Sequence, residues 1–325
     1  MKKLFLSLMA IFMALTVKAQ LTEQLNAILQ VGDDISIFYG ASALNQALEA
    51  APESGGVITL SSGTFNAPTI TKKVTIYGCG WYTDGENDIY PSAINGNITI
   101  NIPDEIVAPH DIYIEGLYVN DINIPSEIDG LNIVKCNFGS ISFSKANKRV
   151  NILQCRTRGG RINAGDNVLV KNCYLDLRFI SRFSDESTVF LDHCILVNGY
   201  DYDSGAAIFY CTNSIVNVGY STGSQTYRNC VFQWSPRDFA IGSTGNKFST
   251  DYTTFFTDAA NTDYSDTRTF TLAEPDNYLG SDGTPVGVTG GDYPWNKQPL
   301  TPIVKNLDLK VEGTQLKVTY DAEIR

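Results

Sequence analysis

Across the middle of the chain, apolar residues come in pairs separated by one polar position, and a set of such pairs recurs about every nineteen residues. Ile112 and Ile114, Leu131 and Ile133, Val150 and Ile152, Val168 and Val170, and Val189 and Leu191 are first pairs. Leu117 and Val119, Cys136 and Phe138, Cys173 and Leu175, and Cys194 and Leu196 are second pairs. Each pair alternates as a strand does, but the parity flips between the two, so two short strands meet at a bend. A third pair, Ile122 with Ile124 or Ile141 with Phe143, predicts three strands per repeat.

The repeat is punctuated by cysteine. Cys136, Cys155, Cys173, Cys194, Cys211 and Cys230 follow at intervals of 19, 18, 21, 17 and 19, closing the phrases LNIVKC, VNILQC, VLVKNC, VFLDHC, AIFYC and TYRNC. With the cysteine as slot zero, Leu117 fills the slot one interval earlier and Cys79 lies 38 residues before that. Slots minus two and minus one form the bend. Gly78, Gly116, Asn172, His193 and Asn229 at minus one are types that tolerate a left-handed corner, and Lys135, Gln154 and Tyr210 share the slot. Tyr82 to Asp111 breaks the rhythm and is expected to hold one irregular coil or an inserted loop.

A coil of three short parallel strands that stacks on itself every ~4.8 Å satisfies this pattern: an all-β, right-handed, single-stranded parallel β-helix. The cysteines then stack inward. Parallel in-register side chains keep their Cβ atoms about one strand spacing apart, beyond disulfide range, so free buried thiols are expected. ASALNQALEAAP predicts a capping helix over Ser42 to Ala50. Asp258 to Asn296 reads as loops wrapping the C-terminal end. Leu307, Leu309 and Val311 against Leu316, Val318 and Tyr320 predict a hairpin that covers that end. The expected division is a leader over 1–19, an N-terminal segment with the helix over 20–55, the β-helix over 56–243, and C-terminal loops and hairpin over 244–325.

ALNQALEAAPESGGVITLSSGTFNAPTITKKVTIYGCG resembles the opening coil of the pectin-lyase-like β-helix superfamily. The tail, FFTDAANTDYS with DGTPVGVTGGDYPW, is similar to the ends of secreted β-helix proteins of Bacteroidetes. The resemblance implies the fold; the superfamily carries lyases, glycosidases, esterases, adhesins and non-catalytic proteins alike.

MKKLFLSLMAIFMALTVKAQ has the basic start, short apolar run and small-residue exit of a secretory signal peptide cut near Ala19, and its apolar run is too short to span a membrane. Secretion, to the periplasm, cell surface or beyond, is therefore expected. Loss of Lys2, Lys3 and Lys18 would take the formal charge from −11 to −14, which argues against nucleic acid and anionic membrane as partners. The two histidines, His110 and His193, nearly exclude a multi-histidine zinc site.

Asp192, His193 and Cys194 stand together like a written-out catalytic site, and VFLDHC resembles the hydrophobic-Asp-His phrase of pectate lyases. In the repeat frame, however, the first two are bend residues facing out and the third faces in. Six of ten arginines, Arg149, Arg156, Arg158, Arg161, Arg178 and Arg182, fall within 34 residues. Matching offsets place Arg158 near Asp176 and Arg161 near Arg178. Such guanidinium groups clamp sulfate or carboxylate; in a lyase, one with a depressed pKa removes the proton beside a uronate carboxylate while calcium acidifies it. Asp201 and Asp203, in YDYDSG, are candidate calcium ligands with Asp176. Tyr200, Tyr202, Tyr210, Tyr220, Tyr227 and Trp234 are candidates for stacking on sugar rings. WSPRDFAIG resembles the Arg-x-Pro-x-x-Arg segment of pectate lyases but holds one arginine, Arg237, where the segment has two. Polygalacturonase signatures are absent: no Asp-Asp pair between glycines, no Gly-His-Gly, no Arg-Ile-Lys.

The expected function is thus a secreted β-helix protein associated with carbohydrate, in a binding or envelope-structural role and by default a monomer. The alternatives are a lyase or glycosidase acting on an acidic glycan, and an adhesin or scaffold for a protein partner.

Overall fold

The computed structural model describes residues 25–83, 90–164, 167–182, 188–197, 208–217, 225–233, 243–298, 303–312 and 315–323. Backbone alone is described for 163–164, 177–182, 208–209 and the last two stretches. The leader and its cleavage point lie outside these residues.

The chain is a parallel β-solenoid with roughly 19 residues per turn. Its first sheet runs through the strands Val57–Leu60, Thr75–Tyr77, Ile112–Glu115, Ile128–Val134, Asn147–Leu153, Val168–Lys171, Thr188–Asp192, Ile208–Thr212 and Gln225–Arg228, each laid parallel on the one before. The second sheet begins at Gly63–Asn66 and ends at Val231–Phe232. A third row, Thr69–Ile70, Ile98–Ile100, Ile122–Ile124 and Ile141–Phe143, gives the early turns the three expected strands. It then merges with the second row, because Arg156–Ala164 is one strand that pairs both Asn137–Phe138 and Ile141–Phe143. Inward residues of all rows form one core, in which Ile114, Leu131, Ile133, Phe138, Ile152 and Val170 are fully buried.

At the N-terminal end the helix α1 (Ala43–Ala50) buries Ala43, Leu44, Ala47 and Leu48 against that core, as the periodicity predicts. An antiparallel hairpin, Asn26–Val31 with Asp34–Tyr39, pairs with Val57–Leu60 and begins the first sheet. Between Thr75–Tyr77 and Ile112–Glu115 there is a single turn, carried by Ser92–Asn95 and Ile98–Ile100, and the extra length goes into excursions on either side of these two strands.

The corner between the first and second sheets is the expected bend. Lys135, Gln154, Asn172, His193, Asn213 and Asn229 all have φ between 48° and 53°, and Gly116 has φ 71°. One rung differs from expectation. Leu191 pairs with Cys211 and Cys211 with Tyr227, so Cys211 lies at slot minus three and Ser214 fills slot zero. The corner residue is therefore Asn213, and Tyr210 sits four places before slot zero on the outer face. The coil intervals here are 20 and 16, from Cys194 to Ser214 and from Ser214 to Cys230, and their unequal lengths let a cysteine three places off mimic the spacing.

The thiol ladder has a hydrogen-bonding reason. After the left-handed corner, the slot-zero N–H points into the dry core, where an unpaired donor is costly. The thiol of the next coil accepts it: Cys136 N–H donates to Cys155 Sγ at 3.4 Å and Cys155 N–H to Cys173 Sγ at 3.2 Å. Cys194 N–H donates to Ser214 Oγ at 2.9 Å, so a hydroxyl does the same work. The thiols of Cys136, Cys155, Cys173, Cys194 and Cys230 in turn donate to the carbonyl two residues before them, as Cys173 does to Lys171 at 3.1 Å. All seven cysteines are free, and burial pushes the thiols of Cys136, Cys173 and Cys211 well above their usual range, keeping them neutral.

Cys173→Ala leaves the Cys155 N–H without an acceptor and should cost about 1–3 kcal/mol plus a small cavity term. Cys173→Ser keeps the acceptor and should cost less, a ranking read from denaturation midpoints at constant m-value.

Candidate functional site

After the last coils the chain turns back along the solenoid. Tyr252, Phe255, Phe256, Phe270 and Leu272 pack on Tyr174, Ile195, Ile215 and Val231, outward residues of the second sheet, and make a second apolar core there. This explains the unbroken apolar run Ile195-Leu196-Val197, which a sheet with one wet face would not show. The segment Gly280–Gln298 then descends along the corner, and nearly every left-handed residue there holds it. Asn213 Oδ1 accepts from Ser281 N–H at 2.8 Å, Asn172 Nδ2 donates to Gly290 O at 2.7 Å, Gln154 donates to Pro294 O, and Lys135 Nζ donates to Gln298 O at 2.7 Å. The loops expected to wrap the C-terminal end thus form a strap along the side.

His193 is locked under this strap. Its Nδ1 lies 3.1 Å from Asp192 Oδ1, and its Nε2 lies 3.0 Å from Thr284 Oγ1 and 3.4 Å from Asp282 Oδ2. Gly291, with φ 71°, rests on the ring so closely that a Cβ there would stand 2.8 Å from Nδ1. Only 2% of the His193 side chain is exposed. Cys194 points the other way, its Sγ donating to Asp192 O at 3.4 Å. Asp192 and His193 therefore meet each other while Cys194 faces the core, so the three do not converge on one point, as the repeat frame requires.

Asp192 faces the open side. Burial would raise its carboxyl, but hydrogen bonds from His193, Thr212 at 2.8 Å and Asn213 at 2.9 Å outweigh that and hold it well below the usual carboxylate range. Lys171 Nζ lies 3.5 Å from Asp192 Oδ2 and 3.8 Å from Asp292 Oδ2. Between these residues and the outer face of the first sheet lies a groove of about 450 Å³. Its floor is Leu169, Phe190 and Tyr210, successive rungs of one outward column. The Phe190 and Tyr210 rings stack at 5.4 Å and 13°, and the two residues stay 40% and 38% exposed. Thr212, Ser281, Asp282 and Asp292 supply polar groups on the sheet and strap sides.

The arginine candidates lie elsewhere. Arg158 pairs with Asp176 in register, as the offsets predict, but Arg161 pairs with Phe179 and not with Arg178. Arg161 stands six places after Cys155 and Phe179 six after Cys173, whereas Arg178 stands five after it, and the register irregularities around Gly160 cancel, so the offset of 18 between Arg158 and Asp176 is recovered at Arg161. Arg156 lays its guanidinium over the Tyr264 ring at 3.7 Å, under the C-terminal loops. Arg158 stacks on Tyr118 at 4.0 Å and donates to the Tyr118 hydroxyl and Val119 O; burial lowers its pKa. Arg161 is exposed, and Arg149 joins Asp129 at 2.6 Å and Asp111 at 3.2 Å, acids contributed by earlier coils. The side chains of Arg178 and Arg182, and all of Tyr200, Asp201, Tyr202, Asp203, Tyr220, Trp234 and Arg237, lie outside the described residues. Tyr227 is fully buried in the core, so it is no surface platform. Among the described residues no cluster of three or more His, Cys, Asp or Glu could hold a metal, and no helix is long and apolar enough to cross a membrane.

Comparison with protein-family models, curated proteins and solved structures gives no match.

Because the depressed Asp192 carboxyl favours the folded state when ionised, its contribution is present above the ordinary aspartate value of about 3.9 and fades as pH falls through the lower folded value. Asp192→Asn should cost about 1–3 kcal/mol at neutral pH, and the gap from the parent should shrink in acid, as followed by denaturant titration at several pH values.

Proposed function

We propose that the protein binds carbohydrate in the groove over Phe190 and Tyr210, and that it works outside the cytoplasm after removal of the leader at Ala19. The observation that carries this reading is the stacked, solvent-facing aromatic pair. Exposed rings in an open groove cost free energy unless a ligand covers them, and the C–H face of a pyranose suits an aromatic face while its hydroxyls bond to flanking polar groups. Here Asp192, Thr212, Asp282 and Asp292 supply those groups. The resemblance of the opening coil to the pectin-lyase-like superfamily, and of the tail to secreted Bacteroidetes proteins, supports the same reading.

The charges refine the ligand. Among the described residues lining the groove one lysine, Lys171, stands with three aspartates, Asp192, Asp282 and Asp292, so the groove is negative on balance and suits neutral sugars over uronates. Binding fits better than catalysis: Asp192 is committed to Lys171, His193, Thr212 and Asn213, and His193 is enclosed. The rival reading, a lyase on an acidic glycan, rests on Arg158 beside Asp176, where burial lowers the guanidinium pKa.

Titration calorimetry against a panel of neutral and uronate oligosaccharides tests both. Phe190→Ala and Tyr210→Ala should each weaken the best ligand by roughly threefold to tenfold, from ~0.5–1.5 kcal/mol per ring. No heat with any sugar, or binding indifferent to both substitutions, defeats the groove reading. Ultraviolet absorbance from unsaturated uronates, lost on Arg158→Ala, would establish the rival.

A further inference from the structure

We infer that two copies of this chain pair through the strand Asp34–Tyr39, edge to edge, about a two-fold axis at Ile37. This strand ends the first sheet; among the described residues it pairs with Asn26–Val31 and with nothing on its other side. Gly40 N–H donates to Leu25 O at 2.8 Å, which fixes the phase of the hairpin. Pairs alternate between bonded and non-bonded, so the bonds to Asn26–Val31 fall at Phe38, Ser36 and Asp34. Ile35, Ile37 and Tyr39 therefore direct their N–H and C=O groups to the free edge.

The same three residues carry exposed side chains. Ile35 is 63%, Ile37 50% and Tyr39 53% exposed, on one face of a single strand. Proteins usually blunt such an edge with lysine, proline or a bulge, and DISIFY has none of these.

The pattern fits a second copy in particular. Two copies of one strand related by a two-fold axis run antiparallel, and an axis at Ile37 sets Ile35 opposite Tyr39 and Ile37 opposite itself. Each of these facing pairs is of the bonded type, so every free N–H and C=O of the three residues finds a partner. The apolar residues meet apolar residues on the same face. The acids fall clear of each other: Asp34 faces Gly40 and Asp33 faces Ala41. One strand is a small interface, so the dimer is concentration-dependent.

Sedimentation velocity of the full chain over a wide concentration range tests the proposal. The parent should shift from monomer to dimer. Ile37→Lys places two ammonium groups at the axis, and Ile37→Pro deletes an N–H that the hairpin does not use; each should weaken association at least tenfold while the melting curve shows a folded protein. Val107→Lys, at another exposed apolar site (84%), should dimerise like the parent. A parent that stays monomeric throughout, including because residues 1–24 cover the edge, or a dimer that survives both Ile37 substitutions, overturns it.

Discussion

The rest of this structure depends on one backbone donor per coil. A parallel solenoid pairs its strands from turn to turn, but at the corner between the two main sheets a left-handed residue rotates the following N–H into the core. No water reaches it there. The acceptor has to come from inside, from a side chain small enough to leave room for the packed isoleucines and leucines yet able to receive a hydrogen bond. Cysteine suits that place, and serine at position 214 performs the same role. The cysteines at slot zero, Cys136, Cys155, Cys173, Cys194 and Cys230, and the left-handed residue before each of them follow from this single requirement.

The outside of the same corner has the complementary property. Left-handed positions favour asparagine and glycine, and an outward column of amides, imidazole and ammonium results. Such a column is a ladder of donors and acceptors at coil spacing. The strap uses it, giving up its own backbone carbonyls and N–H groups to Lys135, Gln154, Asn172 and Asn213. Lys135 and Gln154 are unusual residues for a left-handed backbone, and the bonds they make to the strap offset the strain.

The repeat, the corner and the inward cysteines were legible because each rests on local alternation, and local alternation is written in consecutive residues. The register at Cys211 was not. A cysteine occurred at nearly the right interval, and the better signal was chemical: Asn213 followed by Ser214 has the corner residue and the acceptor, whereas Tyr210 with Cys211 has only the second. The strap's path was also hidden, since Gly280–Gln298 has no periodicity and its partners are 68 to 163 residues away. A trace of it existed in Ile195-Leu196-Val197, apolar on both faces. Of the groove, Tyr210 was within reach as an aromatic candidate, while Phe190 went unnoticed because it lies between two inward residues in an apolar phrase.

Phe190 also shows why the groove lies where it does. Its column on the first sheet changes character along the solenoid. At Asn132 and Asn151 the outward residues bond to each other at 2.9 Å, a closed amide ladder with nothing to offer a ligand. At Leu169, Phe190 and Tyr210 the column is apolar, and no element of the strap lies over it, because the strap is held to the corner three residues further along the chain, at Asn172, His193 and Asn213. A wall on one side and bare rings on the floor are what remain. Had the strap crossed the sheet, these rings would belong to the second core, as Tyr174 does; because it follows the corner, they stay available to solvent and to whatever flat, hydroxyl-bearing surface fits beside Asp192.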